Sequence, residues 1–184
     1  MLQKKIILAS LLTALSVTVG YIFLFIPNVE LLTATVFISG FLLGPLFGAI
    51  TGIIAEFLFS LFNPYGVPMF PLLLAQIVTF GLIGFAGGIY RLTFNAKKSY
   101  INRFIIPAVY GLVLTLIYDI LTSLSYILFA TDVNFNKIIT MFISGMIFYM
   151  THAGVNTLIF ATIVPILIIR LLPHLPAYLI NQET

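Results

Sequence analysis

Residues 38–66 read ISGFLLGPLFGAITGIIAEFLFSLFNPYG. Gly44 and Pro45 interrupt a run that is otherwise apolar or small. Proline fixes φ and lacks the amide donor, and glycine supplies backbone freedom, so this pair ends one helix and starts the next with almost no loop. Asn63, Pro64 and Gly66 mark a second reversal, and Pro68 and Pro71 suit the first turn of the helix that follows. Between the two breaks, Gly48, Gly52, Glu56 and Ser60 recur every fourth residue and share one helix face.

The apolar character extends over the whole chain. Of its 184 residues, 61% are hydrophobic and 7% charged, against about 25% charged in soluble domains, and the mean hydropathy is +1.20. At about 20 apolar residues per helical span, the length accommodates six, over 6–26, 31–45, 46–62, 69–90, 104–130 and 138–172. The expectation is an all-α integral membrane protein whose residues 1–184 form a single transmembrane domain, with no internal repeat. The opening 27 residues have a basic start, but their apolar run exceeds the roughly 7–15 residues of a signal sequence, so they read as a retained first span. The last apolar stretch is longer than a bilayer requires. Either Pro165 kinks it, or the RLLPHLPAYL tail containing His174 lies along the interface.

Charge sets the orientation. Lys4, Lys5, Arg91, Lys97, Lys98, Arg103 and Arg170 fall on one side of the spans and Lys137 on the other. The positive-inside rule then places both termini and the 91–103 loop in the cytoplasm, with the 27–30, 63–68 and 131–137 loops outside. The net charge of +3 reflects that asymmetry and gives no reason to expect nucleic acid. The absence of cysteine removes disulfides, thiol nucleophiles and thiolate metal sites. There is no GxSxG motif and no phosphate loop, so neither catalysis nor ATP hydrolysis by this chain is expected, and no cofactor or metal is called for.

Ionisable groups within a span cost about 2.5–3.5 kcal/mol on insertion scales and face a bundle interior or cavity. Three stand out: Glu56, Asp119 and His152. In the fifth span Thr115, Asp119, Thr122 or Ser123, and Tyr126 form a stripe running outward; in the sixth, Gly145, Tyr149, His152 or Ala153, and Asn156 share a face. At 1.5 Å per residue, Asp119 lies roughly 16 Å below the outer end of its span and Glu56 roughly 9 Å below its own. Gln76 sits two turns into the fourth span and both donates and accepts. Two readings fit these residues: hydrogen bonding between helices, or a ligand pocket open to the exterior. His152 and Asn156 have the i, i+4 spacing of paired metal ligands, but asparagine ligates transition metals poorly and no HExxH pattern is present.

Residues 38–66 resemble the substrate-binding S components of energy-coupling factor (ECF) transporters, small six-helix membrane proteins with a G-x-L-L-G-P-x-x-G-A-x-x-G pattern between spans two and three. Gly40, Leu42, Leu43, Gly44, Pro45, Gly48, Ala49 and Gly52 are in register with it. The resemblance implies a chain in a prokaryotic plasma membrane that captures a vitamin or vitamin precursor from outside, while a membrane coupling protein and two ATPases supply the energy. It also implies a small-residue face on the first helix that docks the coupling protein. Where the family has Ala-xxx-Ala, this chain has Ser10, Ala14 and Thr18. The family's ligand sits near the outer surface, and depth and polarity then nominate Asn28, Glu30, Asn63, Tyr65, Gln76, Asp119, Tyr126, Tyr149 and His152 as ligand contacts, with Tyr65, Met69 and Phe70 at the mouth. The lack of tryptophan weakens any reading that needs a tryptophan cage. Tyrosine and phenylalanine remain for stacking on a ring, and a ring compound such as cobalamin is the leaning. Two alternatives compete: a cell-shape scaffold of the MreD type with no small ligand, and an intramembrane enzyme built on Glu56, Asp119 and His152.

Overall fold

The computed structural model describes residues 2–26, 28–94, 101–128 and 133–175. Lys97, Lys98, part of the 131–137 loop and the end of the RLLPHLPAYL tail from residue 176, to which sequence reasoning gave roles, lie outside them. The six expected helices are α1 (Leu2–Phe23), α2 (Leu31–Leu43), α3 (Pro45–Leu61), α4 (Phe70–Thr93), α5 (Ile106–Ile127) and α6 (Phe135–Leu171). A π-turn, Ile101–Ile105, leads into α5, and a 3-10 turn, Leu172–His174, follows α6.

α1, α4, α5 with its lead-in, and α6 are long and apolar enough to cross a membrane. α2 has 13 residues and α3 has 17, about 20 and 25 Å at 1.5 Å per residue, short of the ~30 Å hydrocarbon core. The six expected spans thus correspond to four helices of spanning length and two shorter ones.

α2 is apolar around its whole circumference and lies at the centre, which is where such a helix must go. Every residue from Leu32 to Leu43 except Thr35 is buried. Phe37 meets Phe160 of α6 with ring centroids 5.1 Å apart, Tyr110 of α5 at 5.5 Å and Tyr90 of α4 at 5.8 Å, so one side chain ties four helices together.

The Gly44–Pro45 break behaves as expected. Gly44 takes φ 94°, a left-handed value that a Cβ disfavours, and Pro45 opens α3. Arg91 Nη1 donates to the carbonyl of Leu42 at 2.7 Å, satisfying an acceptor at the end of α2 that the helix leaves open. The pattern's other glycines do a different job. A Cβ at Gly40 or Gly48 would collide with the carbonyl of Gly84, and one at Gly84 with the carbonyl of Gly48. α2, α3 and α4 therefore touch backbone to backbone, the close approach that small residues permit between membrane helices.

α5 and α6 run antiparallel in a register fixed by three side-chain meetings. Ser123 Oγ lies 2.7 Å from the Tyr149 hydroxyl, Asp119 bonds His152, and Gly111 leaves room for the ring of Phe160. Pro165 is buried inside α6, which stays helical on both sides of it, so the proline does not divide the helix. His174 is exposed in the 3-10 turn.

Candidate functional site

The face of α3 that begins with Gly48 and Gly52 against α4 continues one turn at a time to Glu56 and Ser60. Where the glycines let α3 and α4 touch, the larger side chains hold them apart. Glu56 is 2% exposed, and Ser60 Oγ lies 2.8 Å from its Oε1 and 3.4 Å from Gln76 Oε1. Gln76 in turn donates from Nε2 to the hydroxyl of Tyr118 at 3.2 Å, joining α3, α4 and α5 in one polar chain.

A second chain starts on α5. Asp119 Oδ1 is 2.8 Å from His152 Nδ1, and Glu30 Oε2 is 3.3 Å from His152 Nε2. Asp119 and His152 are both buried, whereas Glu30, at the start of α2, is partly open. A neutral imidazole donates from one nitrogen alone; only the imidazolium donates to both carboxylates at once. Beside this contact Asn28, held at φ 61°, donates from Nδ2 to Thr151 Oγ1 at 3.2 Å. The connection between α1 and α2 is thus latched to α6 at two successive residues. One turn further into the bundle, Thr115 and Asn156 bury polar atoms that take no hydrogen bond among the described residues.

The two chains border a cavity of about 250 Å³ at the end of the bundle opposite the Gly44–Pro45 turn. Its polar wall is Asn28, Glu30, Glu56, Ser60, Asn63, Gln76, Tyr118 and His152; its apolar wall includes Phe23, Phe59, Pro68 and Phe148. Tyr118 and Phe148 both pack on the His152 ring, with centroids 5.9 and 5.6 Å away.

Of the nine residues nominated from sequence, the fold brings Asn28, Glu30, Asn63, Gln76 and His152 to this cavity. Asp119 stands behind His152 and reaches the cavity through it. Tyr149 bonds Ser123 on the α5–α6 seam, and Tyr126 is 49% exposed away from the cavity. Tyr65 is exposed and packs edge-on against Phe25 at 6.5 Å, joining the α1–α2 and α3–α4 connections. In that loop Asn63 Oδ1 accepts from the Tyr65 amide at 2.9 Å, and Gly66 takes φ 102°, so the reversal read from Asn-Pro-Tyr-Gly is a fixed turn. Met69 and Phe70 are exposed beside it.

Sequence reasoning did not pick out Tyr118 or the aromatic wall. Tyr118 neighbours Asp119 but points about 100° away around the helix, so its hydroxyl meets Gln76 while its ring packs on His152. In so apolar a chain, no pattern separates a ring in the cavity wall from one facing lipid.

On α1, Ser10, Ala14 and Thr18 form an exposed row, while Thr13, Ser16 and Gly20 are buried. The hydroxyls of Ser10 and Thr18 bond back to the carbonyls of Ile6 and Ala14, which leaves the row without outward donors. An apolar groove between α1 and α3, with Ser10 and Ala14 on one wall and Phe47, Ile50 and Ile54 on the other, runs alongside.

Comparison with known families agrees with this architecture. The family model described as ECF transporter, substrate-specific component, matches residues 4–171, nearly the whole chain, and the chain belongs to that family. Its members are substrate-binding transporter subunits, not enzymes, and nothing in the match supports a cell-shape scaffold. No curated protein and no solved structure gives a match.

Proposed function

From its membership among the substrate-specific components of ECF transporters, we propose that this chain captures a small, ring-containing vitamin or vitamin precursor in the cavity bordered by Glu30, Glu56, Gln76, Tyr118 and His152. The supporting observation is the cavity itself: polar side chains from the α1–α2 connection, α3, α4, α5 and α6 converge on it between aromatic rings, the usual make-up of a small-molecule site. Its size, just below the ~300–1,000 Å³ of sites for drug-sized ligands, favours a compound of one or two rings over a corrinoid. Asn28, Glu30, Asn63, Gln76 and His152 are direct contacts in this reading, and Asp119 positions His152. Tyr65, with Phe25, covers the mouth from outside. The positive-inside rule puts that mouth at the outer surface and both termini in the cytoplasm. Mass spectrometry of small molecules that copurify with the chain tests the proposal. A vitamin-sized ring compound, released when Gln76 and His152 are replaced together, is the expected result; protein that carries no such compound and binds none in a broad vitamin panel would refute it.

Energy comes from partners: a membrane coupling protein and two ATPases. The exposed row Ser10, Ala14 and Thr18 beside the α1–α3 groove is the docking face in this reading. An Ala14→Trp change adds bulk to an exposed site and alters stability by no more than about 0.5 kcal/mol. It is expected to abolish copurification with the coupling protein while ligand binding is retained. Unchanged recovery of the complex would move the docking face elsewhere.

A further inference from the structure

The cavity is unbalanced both in charge and in hydrogen bonding. Glu30 and Glu56 line it, and Asp119 adds a third carboxylate directly behind His152. Among the described residues, no lysine or arginine lines the cavity. Of the described lining residues, His152 alone can offer a compensating charge, and both of its ring nitrogens already face carboxylates, those of Asp119 and Glu30.

Several of the donors are already engaged, although the Tyr118 hydroxyl, which accepts from Gln76, keeps its own hydrogen. Ser60 gives its hydroxyl to Glu56 or Gln76, Gln76 gives Nε2 to Tyr118, and Asn28 gives Nδ2 to Thr151. The acceptors are left over. Among the described residues, Ser60 alone bonds the Glu56 carboxylate, at Oε1, so Oε2 of a side chain that is 2% exposed borders the cavity without a donor. Asn28 Oδ1 likewise has no partner. Burying acceptors without donors is costly, and burying carboxylates without counter-charge more so.

Resting on the reading of this cavity as the capture site, we propose that its ligand is a cation: a flat ring compound bearing an amine or a permanently charged ring nitrogen, held by Glu56 and Glu30. Such a ligand brings the positive charge that the described walls lack, and donors for the Glu56 and Glu30 carboxylates. Phe23, Phe59, Tyr118 and Phe148 supply aromatic surface for its ring, and a ring face attracts a cation. A ligand carrying a carboxylate would instead meet two carboxylates in a site sheltered from water, a repulsion that discriminates against it. Glu56 and Glu30 are therefore the residues that set specificity by charge.

The test uses purified full-length protein, stripped of copurifying compounds, and probes of comparable size at neutral pH. Thiamine and pyridoxamine represent cations, nicotinamide a neutral ring, and nicotinate and pantothenate anions. At least one cationic probe is expected to bind tenfold or more tightly than every neutral or anionic one. Glu56→Gln should weaken that probe at least tenfold, and Glu30→Gln, at a partly exposed position, should do so by a smaller factor without affecting folding. A copurified compound identified by mass spectrometry should carry a positive charge. Tightest binding by a neutral or anionic probe, or an anionic copurified compound, overturns the charge assignment and leaves the capture role standing. Cationic binding unchanged in both glutamate variants also overturns it. Failure of every probe together with the absence of any copurified compound overturns the capture role itself, and the assignment with it.

Discussion

Replacing Gly84 by valine will leave little or no folded protein. A Cβ at this position meets the carbonyl of Gly48, and a backbone atom has no alternative rotamer to retreat into. Overpacking a core ordinarily costs about 1–3 kcal/mol, occasionally more, and here α3 and α4 would have to separate along the seam where Gly40, Gly48 and Gly84 meet. A cost at or above the top of that range, about 3 kcal/mol, is expected. It would be read as lost monodisperse yield in detergent and a lowered unfolding midpoint. Gly154→Val is the matched control, because nothing lies within 4 Å of its added Cβ. Equal yields from the two variants would disprove the backbone contact between α3 and α4.

The second large effect is expected at Asp119. Removing one partner of a buried charged pair costs about 3–5 kcal/mol, because the other is left without compensation. Asp119→Asn keeps an acceptor for His152 but removes the charge, so a loss near the lower end, about 3 kcal/mol, is expected in the ligand-free protein. Glu30 faces the other nitrogen of the same ring but is partly open to solvent, and Glu30→Gln should cost less than about 1 kcal/mol, in the manner of exposed pairs. Unfolding midpoints of the two variants and the wild type make the comparison. Ligand affinity should follow the same order if Asp119 works by holding His152 in place. If Asp119→Asn unfolds at the wild-type midpoint, Asp119 is not a structural partner of His152.

The same residues explain why only part of the site was legible beforehand. Spacings of three and four residues determine which side chains share a helix face, so the α3 row from Gly48 to Ser60 and the α5 stripe through Asp119 were visible in the sequence. Those spacings do not determine which face meets which. The α5–α6 register that sets Asp119 against His152 comes from Phe160 packing over Gly111 and Tyr149 meeting Ser123, contacts between residues 26 to 49 positions apart. Tyr126 and Tyr149 have the depth and polarity of ligand contacts, yet one is exposed and the other is spent on the seam. Tyr118 has no polar stripe of its own and is recruited by Gln76 from another helix.

Composition and punctuation by themselves determined the membrane setting, the six helices and the reversal at Gly44–Pro45, because hydropathy and backbone chemistry act locally along the chain. The glycine pattern likewise announced close packing. Only the tertiary structure decided that α2 would be the central helix, that carboxylates from α5 and the α1–α2 connection would meet one histidine while Glu56 of α3 lines the same cavity, and that among the described residues no lysine or arginine would join them there. Those outcomes depend on the rotation and register of each helix against its neighbours, which are set by side-chain packing summed over the bundle and leave no trace in any single stretch of sequence.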